Sequence, residues 1–260
     1  MYKNKKIVCV IPARLASHRF PEKMLVTLQG RPLLSWVWDA AKKVTLFDDV
    51  IFAVDDQRLV DCVATFGGKA VLTSVSCLVG TDRLVELILN QKIDADIVVN
   101  WQGDEPFIHE AMINDLLQSI DASGQDAWTL KTRIKNSADI AARNIAKVIT
   151  AQNGQALCFS RSAIPCVRDS QSVDMAMAEI PFYKHVGLYA FTPHALRRIA
   201  GMGKSALEQA EKLEMLRWLD FGLPVVVHET AYEVFGIDTP ADLARAEKFL
   251  LENSNNRQTV

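Results

Sequence analysis

Short apolar runs alternate with stretches of helical periodicity along the first hundred residues. "KIVCVI" (6–11), "VIFAVD" (50–55) and "DIVVNW" (96–101) are rich in Val and Ile and apolar without alternation, the pattern of strands buried on both faces. Between them, "PLLSWVWDAAKKV" (32–44), "QRLVDCVATFG" (57–67) and "TDRLVELILNQ" (81–91) repeat apolar residues at helical spacing. Gly67 and Gly68 stop the second helix ahead of another short strand, "KAVLT". This βαβαβ rhythm predicts a doubly wound α/β layer structure.

The second half is less regular. "AWTLKTRI", "AKVITA" and "ALCFS" read as strands, and "EIPFYKHVGLYAFTP" contains a further one. "ALEQAEKLEMLRWLDFG" (206–222) predicts one helix with Leu207, Leu213, Leu216 and Leu219 on its apolar side and Gly222 as its stop. A strand "PVVVHET" follows, then a helix over 239–253 with Thr239 as N-cap and Pro240 first in the helix. The expected organisation is a single domain over 1–250, with a β-rich segment near 155–205 and a flexible tail at 251–260. Phe182, Tyr183, Leu188 and Tyr189 fall close together in that segment and suggest an apolar partner surface, hence a homodimer.

Composition narrows the class. The chain has 260 residues, 49% apolar and 23% charged, as ordinary globular proteins do. A net charge of −2 lacks the basic excess of a dedicated nucleic-acid binder. Cys9, Cys62, Cys77, Cys158 and Cys166 are odd in number and scattered, without the spacing of a disulfide framework or a zinc site. The basic start "MYKNKK" is followed by an apolar run too short for a signal peptide, and no stretch approaches the roughly 20 apolar residues of a membrane span. The expectation is a cytoplasmic protein with neither membrane nor nucleic acid as partner.

Positive charge is instead concentrated locally. In "IPARLASHRFPEKML", Arg14, Arg19 and Lys23 fall within ten residues directly after the first strand. Ligands of open α/β sheets bind beyond the carboxyl ends of the strands, so this loop is suited to a polyphosphate, Arg as a planar fork and Lys as a point charge. It is no Walker loop, because neither GxxxxGK[ST] nor GxGxxG occurs. "VVNWQGDEP" (98–106) places Gln102, Asp104 and Glu105 after another buried strand, and "FGIDTPADL" (235–243) sets Asp238 at the mouth of the last helix. Read alone, Asp238 is a helix cap and Asp104 equally a turn residue. Together with a polyphosphate loop, two such carboxylates suit Mg²⁺, which takes one or two carboxylates and completes its shell with phosphate oxygens and water. The combination points to metal-assisted nucleotidyl transfer.

Eight motifs occur in order: "IPARLASHRFPEK", "VDDQR" (54–58), "GTDR" (80–83), "QGDEP" (102–106), "ALCFSRSAIP" (156–165), "KHVGLYAF" (184–191), "LEQAEKLEMLR" (207–217) and "GIDTPADL" (236–243). From residue 6 to about 250 the chain resembles the 3-deoxy-manno-octulosonate (Kdo) cytidylyltransferases, or CMP-Kdo synthetases. The resemblance implies an α/β, Rossmann-like nucleotidyltransferase fold: a central mixed, mostly parallel sheet flanked by helices, with a smaller β-rich dimerisation segment. It implies a homodimer that transfers CMP from CTP to the anomeric hydroxyl of Kdo for lipopolysaccharide biosynthesis, releasing pyrophosphate, with Mg²⁺ as cofactor.

By the same resemblance, Arg14 and Lys23 would hold the triphosphate and Arg19 would close over it. Asp104 and Asp238 would bind the metal and, with Arg14 and Lys23, form the catalytic set. Pro12, Ala13, Gly80, Thr81, Arg83 and Gln102 would line the nucleotide. Gln102, Ser160, Arg161, His185, Tyr189, Glu208 and Glu211 would face the sugar acid. His185 could equally be a hydrogen-bonded strand residue, and Glu208 and Glu211 the solvated face of a helix.

The chain departs from the family pattern at Glu22 for Gly, Met24 for Pro, Cys77 to Val79 before Gly80, Cys158 for Tyr and Met215 for Gln. Glu22 is expected to point outward and to restrict the loop to negative φ. Alternatives are the same reaction on the 8-amino analogue, on a nonulosonic acid or on a polyol phosphate, and a catalytically weakened nucleotide-binding homologue.

Overall fold

The computed structural model describes residues 1–17 and 19–257, and the chain divides into two compact units. The first comprises residues 1–95, 100–110 and 234–260; the second comprises 96–99 and 111–233.

The first unit opens with β1 (Ile7–Ala13), every residue of which is buried. A hairpin of β2 (Thr27–Leu28) and β3 (Arg31–Pro32) leads into α1 (Leu33–Lys43), then β4 (Asp49–Val54), α2 (Gln57–Ala64), β5 (Ala70–Leu72) and α3 (Gly80–Leu89). β4 pairs in parallel with β1, Val8 opposite Asp49 through Ala13 opposite Val54, and in parallel with β5. Parallel pairing with helical crossovers is what the unbroken apolar runs and the intervening helical periodicity require. Gly67, at φ 75, takes the left-handed position beyond α2.

The second unit begins with β6 (Ile97–Asn100) and α4 (Glu110–Leu117), which straddle its boundary with the first. It continues through β7 (Ala127–Arg133), α5 (Ser137–Ala141), β8 (Lys147–Thr150), β9 (Ala156–Ser160), α6 (Val173–Glu179), β10 (Tyr183–Phe191), α7 (Pro193–Ala200), α8 (Ala206–Glu211), α9 (Met215–Asp220) and β11 (Val226–Glu229). β7 is central, antiparallel to β10 and parallel to β11, while β8 and β9 form an antiparallel pair joined to β10 at Lys147 and Lys184. The chain then returns to the first unit through α10 (Pro240–Arg257).

Four expectations are corrected. The helix expected over 206–222 is two helices, because Lys212 turns left-handed at φ 54 after Glu211; Leu207 consequently stays 56% exposed. The segment near 155–205 holds two strands and two helices rather than being β-rich. Phe182, Leu188 and Tyr189 are buried within their own unit and Tyr183 is half-buried, so they offer no partner surface. The tail expected from 251 is helical backbone through Arg257, and residues 258–260 lie outside the described residues.

Candidate nucleotide and metal site

The site is assembled by main-chain bonds around the end of β1. Trp101 N donates to Val10 O at 3.1 Å and Gly103 N to Pro12 O at 3.3 Å, which lays the "WQGDEP" segment beside the β1 exit. Gly103 eases this close approach, since a Cβ would stand 3.0 Å from the Pro12 carbonyl oxygen. One residue on, Asp104 O accepts from Ile237 N at 2.9 Å, and this bond carries Asp238 to Asp104 across more than 130 residues of chain.

Asp238 is not the helix cap. Thr239 Oγ1 accepts from Asp242 N at 3.2 Å, and Asp242 Oδ2 accepts in return from the backbone N–H groups of Asp238 and Thr239. This reciprocal cap satisfies the start of α10 and leaves the Asp238 carboxylate for other work. An apolar cluster of Leu28, Leu33, Ile237 and Ala246, with Phe20 and Phe107 against it, holds the cationic loop and the start of α10 together.

The cationic loop turns at Glu22, whose backbone is left-handed (φ 52, ψ 29), and enters a single 3₁₀ turn at Lys23–Leu25. The expectation of negative φ at Glu22 is therefore overturned. The turn needs the conformation that Gly adopts freely, and Glu is held in it. Its outward orientation is as expected, with Oε1 accepting from Arg58 Nη1 at 2.8 Å.

Lys23 is buried, and its ammonium lies between the two carboxylates, 2.5 Å from Asp104 Oδ2 and 2.8 Å from Asp238 Oδ1. Arg19 Nη2 is 2.9 Å from the same Asp238 oxygen. Burial works against the charge on Lys23, but Asp104 and Asp238 outweigh it and leave the ammonium above its ordinary range. Burial likewise opposes ionisation of Asp238, and Lys23 with Arg19 holds its carboxyl below the usual range. Glu105 behaves oppositely: burial first, then the charges of Asp104 and Asp238, push it up to about 8. Its Oε2 is buried with no hydrogen-bond partner.

Together these groups line a cavity of about 450 Å³ with Pro12, Ala13, Arg14, Met24, Cys77 to Gly80, Arg83 and Gln102. Arg14 reaches across it to donate to Leu78 O at 3.1 Å. Gly80 is packed closely, since a Cβ would come 3.0 Å from both Gln102 Oε1 and Pro12 Cγ. The loop before α3 is held by Asp82 Oδ2, which accepts from Leu78 N and Val79 N. The Cys77 thiol, pushed up to about 12 by burial and then Glu86, donates to Glu86 Oε2 at 3.3 Å. Thr81 does not line this cavity; it is fully buried and accepts from Asn100 Nδ2 at 3.2 Å.

Arg83 lines the wall but is committed to it. Its guanidinium bonds Thr73 Oγ1 at 2.7 Å and Asp55 Oδ2 at 2.8 Å. Asp55 is the residue that sequence reasoning missed: its other oxygen accepts from Leu15 N at 2.8 Å and so holds the chain just after Arg14. The "VDDQR" motif was the signal that could have found it.

Of the residues expected to face a sugar acid, Gln102 lies in the first unit and lines the cavity above, and the others lie in the second unit. Glu211 gathers two of them: Oε1 accepts from Ser160 Oγ at 2.8 Å and Oε2 from Arg161 N. The Arg161 guanidinium is engaged with backbone carbonyls, Glu211 O at 2.6 Å and Arg143 O at 3.0 Å among them. Lys147, fully buried on β8, supports the same corner by donating to Arg161 O at 2.6 Å. Glu208 and Glu211 are half-buried rather than a solvated face, and Glu208 lies 3.6 Å from Arg217 Nε.

His185 contacts Phe159 and Tyr189 through its ring and lies 2.9 Å from Thr129 Oγ1. Burial lowers it to about 3, so it is neutral at physiological pH. It can offer a hydrogen bond to an anion, but no positive charge.

The fold and the site agree with what the chain is similar to. The family model described as cytidylyltransferase matches residues 8–251. The 3-deoxy-manno-octulosonate cytidylyltransferase of Geobacter metallireducens is 43% identical over 92% of this chain and 95% of its own, and that of Geotalea daltonii is 44% identical over the same shares. A solved CMP:2-keto-3-deoxy-manno-octonic acid synthetase, complexed with CTP, superposes with a TM-score of 0.87 at 37% identity, covering 95% of this chain and 99% of that one. A 4-diphosphocytidyl-2C-methyl-D-erythritol synthase from Anaerococcus prevotii, at 15% identity and a TM-score of 0.61, shares the fold. With a mixed, mostly parallel sheet flanked by helices and these relatives over nearly its whole length, the chain belongs to the 3-deoxy-manno-octulosonate cytidylyltransferase family.

Proposed function

We propose that the protein transfers CMP from CTP to Kdo, releasing pyrophosphate, as a step of lipopolysaccharide biosynthesis. The observation that carries this reading is one cavity in which Arg14, Arg19 and Lys23 meet Asp104 and Asp238. Two anions, the triphosphate and the sugar acid, must be brought together, and cations at the reacting phosphorus offset their repulsion. Arg14, Arg19 and Lys23 bind the phosphates, while Pro12, Ala13, Gly80 and Gln102 shape the wall for the cytidine. The anomeric oxygen attacks the α-phosphorus in line, the bond from that phosphorus to the bridging oxygen breaks, and pyrophosphate leaves as the hydroxyl proton is released. Positioning supplies much of the rate in such a displacement.

Mg²⁺ fits the residues present. Asp104 and Asp238 both reach a single cation, here the Lys23 ammonium, which is the arrangement one divalent ion between two carboxylates would use. Among the described residues no three His, Cys, Asp or Glu side chains form a complete metal cage, so phosphate oxygens and water would complete the shell. Bound there, the metal would supply charge neutralisation at the α-phosphate and the acceptor oxygen.

The acceptor roles of Ser160, Arg161, His185, Tyr189, Glu208 and Glu211 are proposed on the family resemblance, Arg161 acting through the backbone it holds and His185 as a neutral donor. A homodimer is proposed on the same basis. A cytoplasmic location is part of this reading; among the described residues no helix is long and apolar enough to cross a membrane. The test is purified protein with CTP, Mg²⁺ and either Kdo or its 8-amino analogue, followed by pyrophosphate release. Release with Kdo as the preferred acceptor is expected. Release with the analogue alone would move the acceptor, and release with neither would favour a nucleotide-binding homologue.

A further inference from the structure

We infer that Lys23 stands in for the divalent cation: without nucleotide its ammonium holds Asp104 and Asp238, and it gives them up only when a triphosphate takes its charge. This rests on the nucleotide and metal roles proposed above for the same cavity. The ammonium sits 2.5 Å from Asp104 Oδ2 and 2.8 Å from Asp238 Oδ1, in the place from which one ion bridges both carboxylates. Arg19 adds a second cation at 2.9 Å on the same Asp238 oxygen. A Mg²⁺ ion needs those oxygens at about 2.0–2.1 Å, too close to share the point with an ammonium of like charge.

Metal entering the free protein must therefore push Lys23 out of a buried position with no anion to receive it. A bound triphosphate removes that obstacle, because its oxygens are new partners for Lys23 and Arg19. The flexible four-carbon stem of Lys lets the ammonium move while the 3₁₀ turn at Lys23–Leu25 stays in place. Metal and nucleotide then bind with positive coupling, and each tightens the other by the same factor. The two carboxylates are also kept neutralised in the resting protein, where their mutual repulsion would otherwise be uncompensated.

The experiment measures Mn²⁺ binding by electron paramagnetic resonance on the full chain without nucleotide. Wild type is expected to bind weakly, and Lys23→Met to bind about tenfold or more tightly than wild type. Asp104→Asn introduced into Lys23→Met is expected to abolish that gain. A wild-type protein, tested in parallel by ¹⁵N NMR of its lysine ammonium groups, needs no variant to fold. The Lys23 signal should be unmoved by millimolar Mg²⁺ alone and should shift when CTP is added with it. If Mg²⁺ alone displaces that signal, or if wild type binds Mn²⁺ as tightly as Lys23→Met while Asp104→Asn weakens both, the stand-in role is overturned and the metal site survives. If Asp104→Asn alters Mn²⁺ binding neither in free protein nor with CTP, the metal reading fails and takes this inference with it.

Discussion

Glu22 Oε1 accepts a hydrogen bond from Arg58 Nη1 at 2.8 Å while its own backbone stands in the left-handed region at φ 52. The two facts oppose each other energetically. A non-Gly residue in that conformation costs roughly 1–2 kcal/mol, whereas an exposed ion pair returns at most about 1 kcal/mol. Glu22→Gly should therefore leave the melting temperature within a few degrees of wild type and change the KM for CTP only a few-fold, with weak salt dependence. A tightening that fades as salt rises would show that the carboxylate acts on the nucleotide instead. Glu22→Val, β-branched and ill suited to positive φ, should raise that KM much more.

Asp104→Asn and Asp238→Asn should each lower kcat by orders of magnitude with the fold retained, because each takes a carboxylate from the proposed hard-cation site. Steady-state pyrophosphate release and circular dichroism on the same samples check both halves of the expectation. Turnover like that of wild type in either variant would remove that residue from the site.

Gly80→Ala should raise the KM for CTP several-fold and leave thermal stability little changed. The new methyl would press on Gln102 and Pro12, each 3.0 Å away, and so shift the wall that faces the cytidine. Isothermal titration with CTP would detect it, and unchanged affinity would place the base elsewhere.

His185 makes stability depend on pH with a definite sign. Its folded-state value, about 3, lies below the ordinary value of about 6.5, so protonation favours the unfolded chain. The loss begins as pH falls below about 6.5 and grows until about 3, at about 1.4 kcal/mol per pH unit. Urea unfolding at neutral and mildly acid pH should show His185→Gln losing about 2 kcal/mol less than wild type between pH 7 and pH 5. Equal losses would mean that His185 titrates near its ordinary value. The catalytic pH profile should show no inflection from this residue.

The front half of the fold was legible because β1, β4 and α1 each have a pattern that only one environment satisfies. A run such as "IVCVI" has no polar face to give to water, so it becomes a strand covered on both sides. The break between α8 and α9 was not legible, since Leu207, Leu213, Leu216 and Leu219 are compatible with one long helix as well. It is decided by Arg161, whose guanidinium takes the Glu211 carbonyl and so ends the helix with a donor 50 residues away. The dimer surface was misread for a similar reason: Leu188 and Tyr189 look surplus in the sequence, but α9 brings Trp218 to pack against Tyr189 at 5.2 Å.

By itself the sequence determined the cationic loop after β1, the acidic segment after β6 and the family. Charge placed directly after an apolar strand is a local property that the chain cannot hide. What joins those pieces is not local. The bond from Ile237 N to Asp104 O, the reciprocal cap that frees Asp238, and the ammonium of Lys23 between two carboxylates exist only when distant segments meet. Only the tertiary structure decided that Asp238 faces a cation rather than its own helix, because Thr239 Oγ1 takes the first-turn N–H of Asp242 and so supplies the cap in its place.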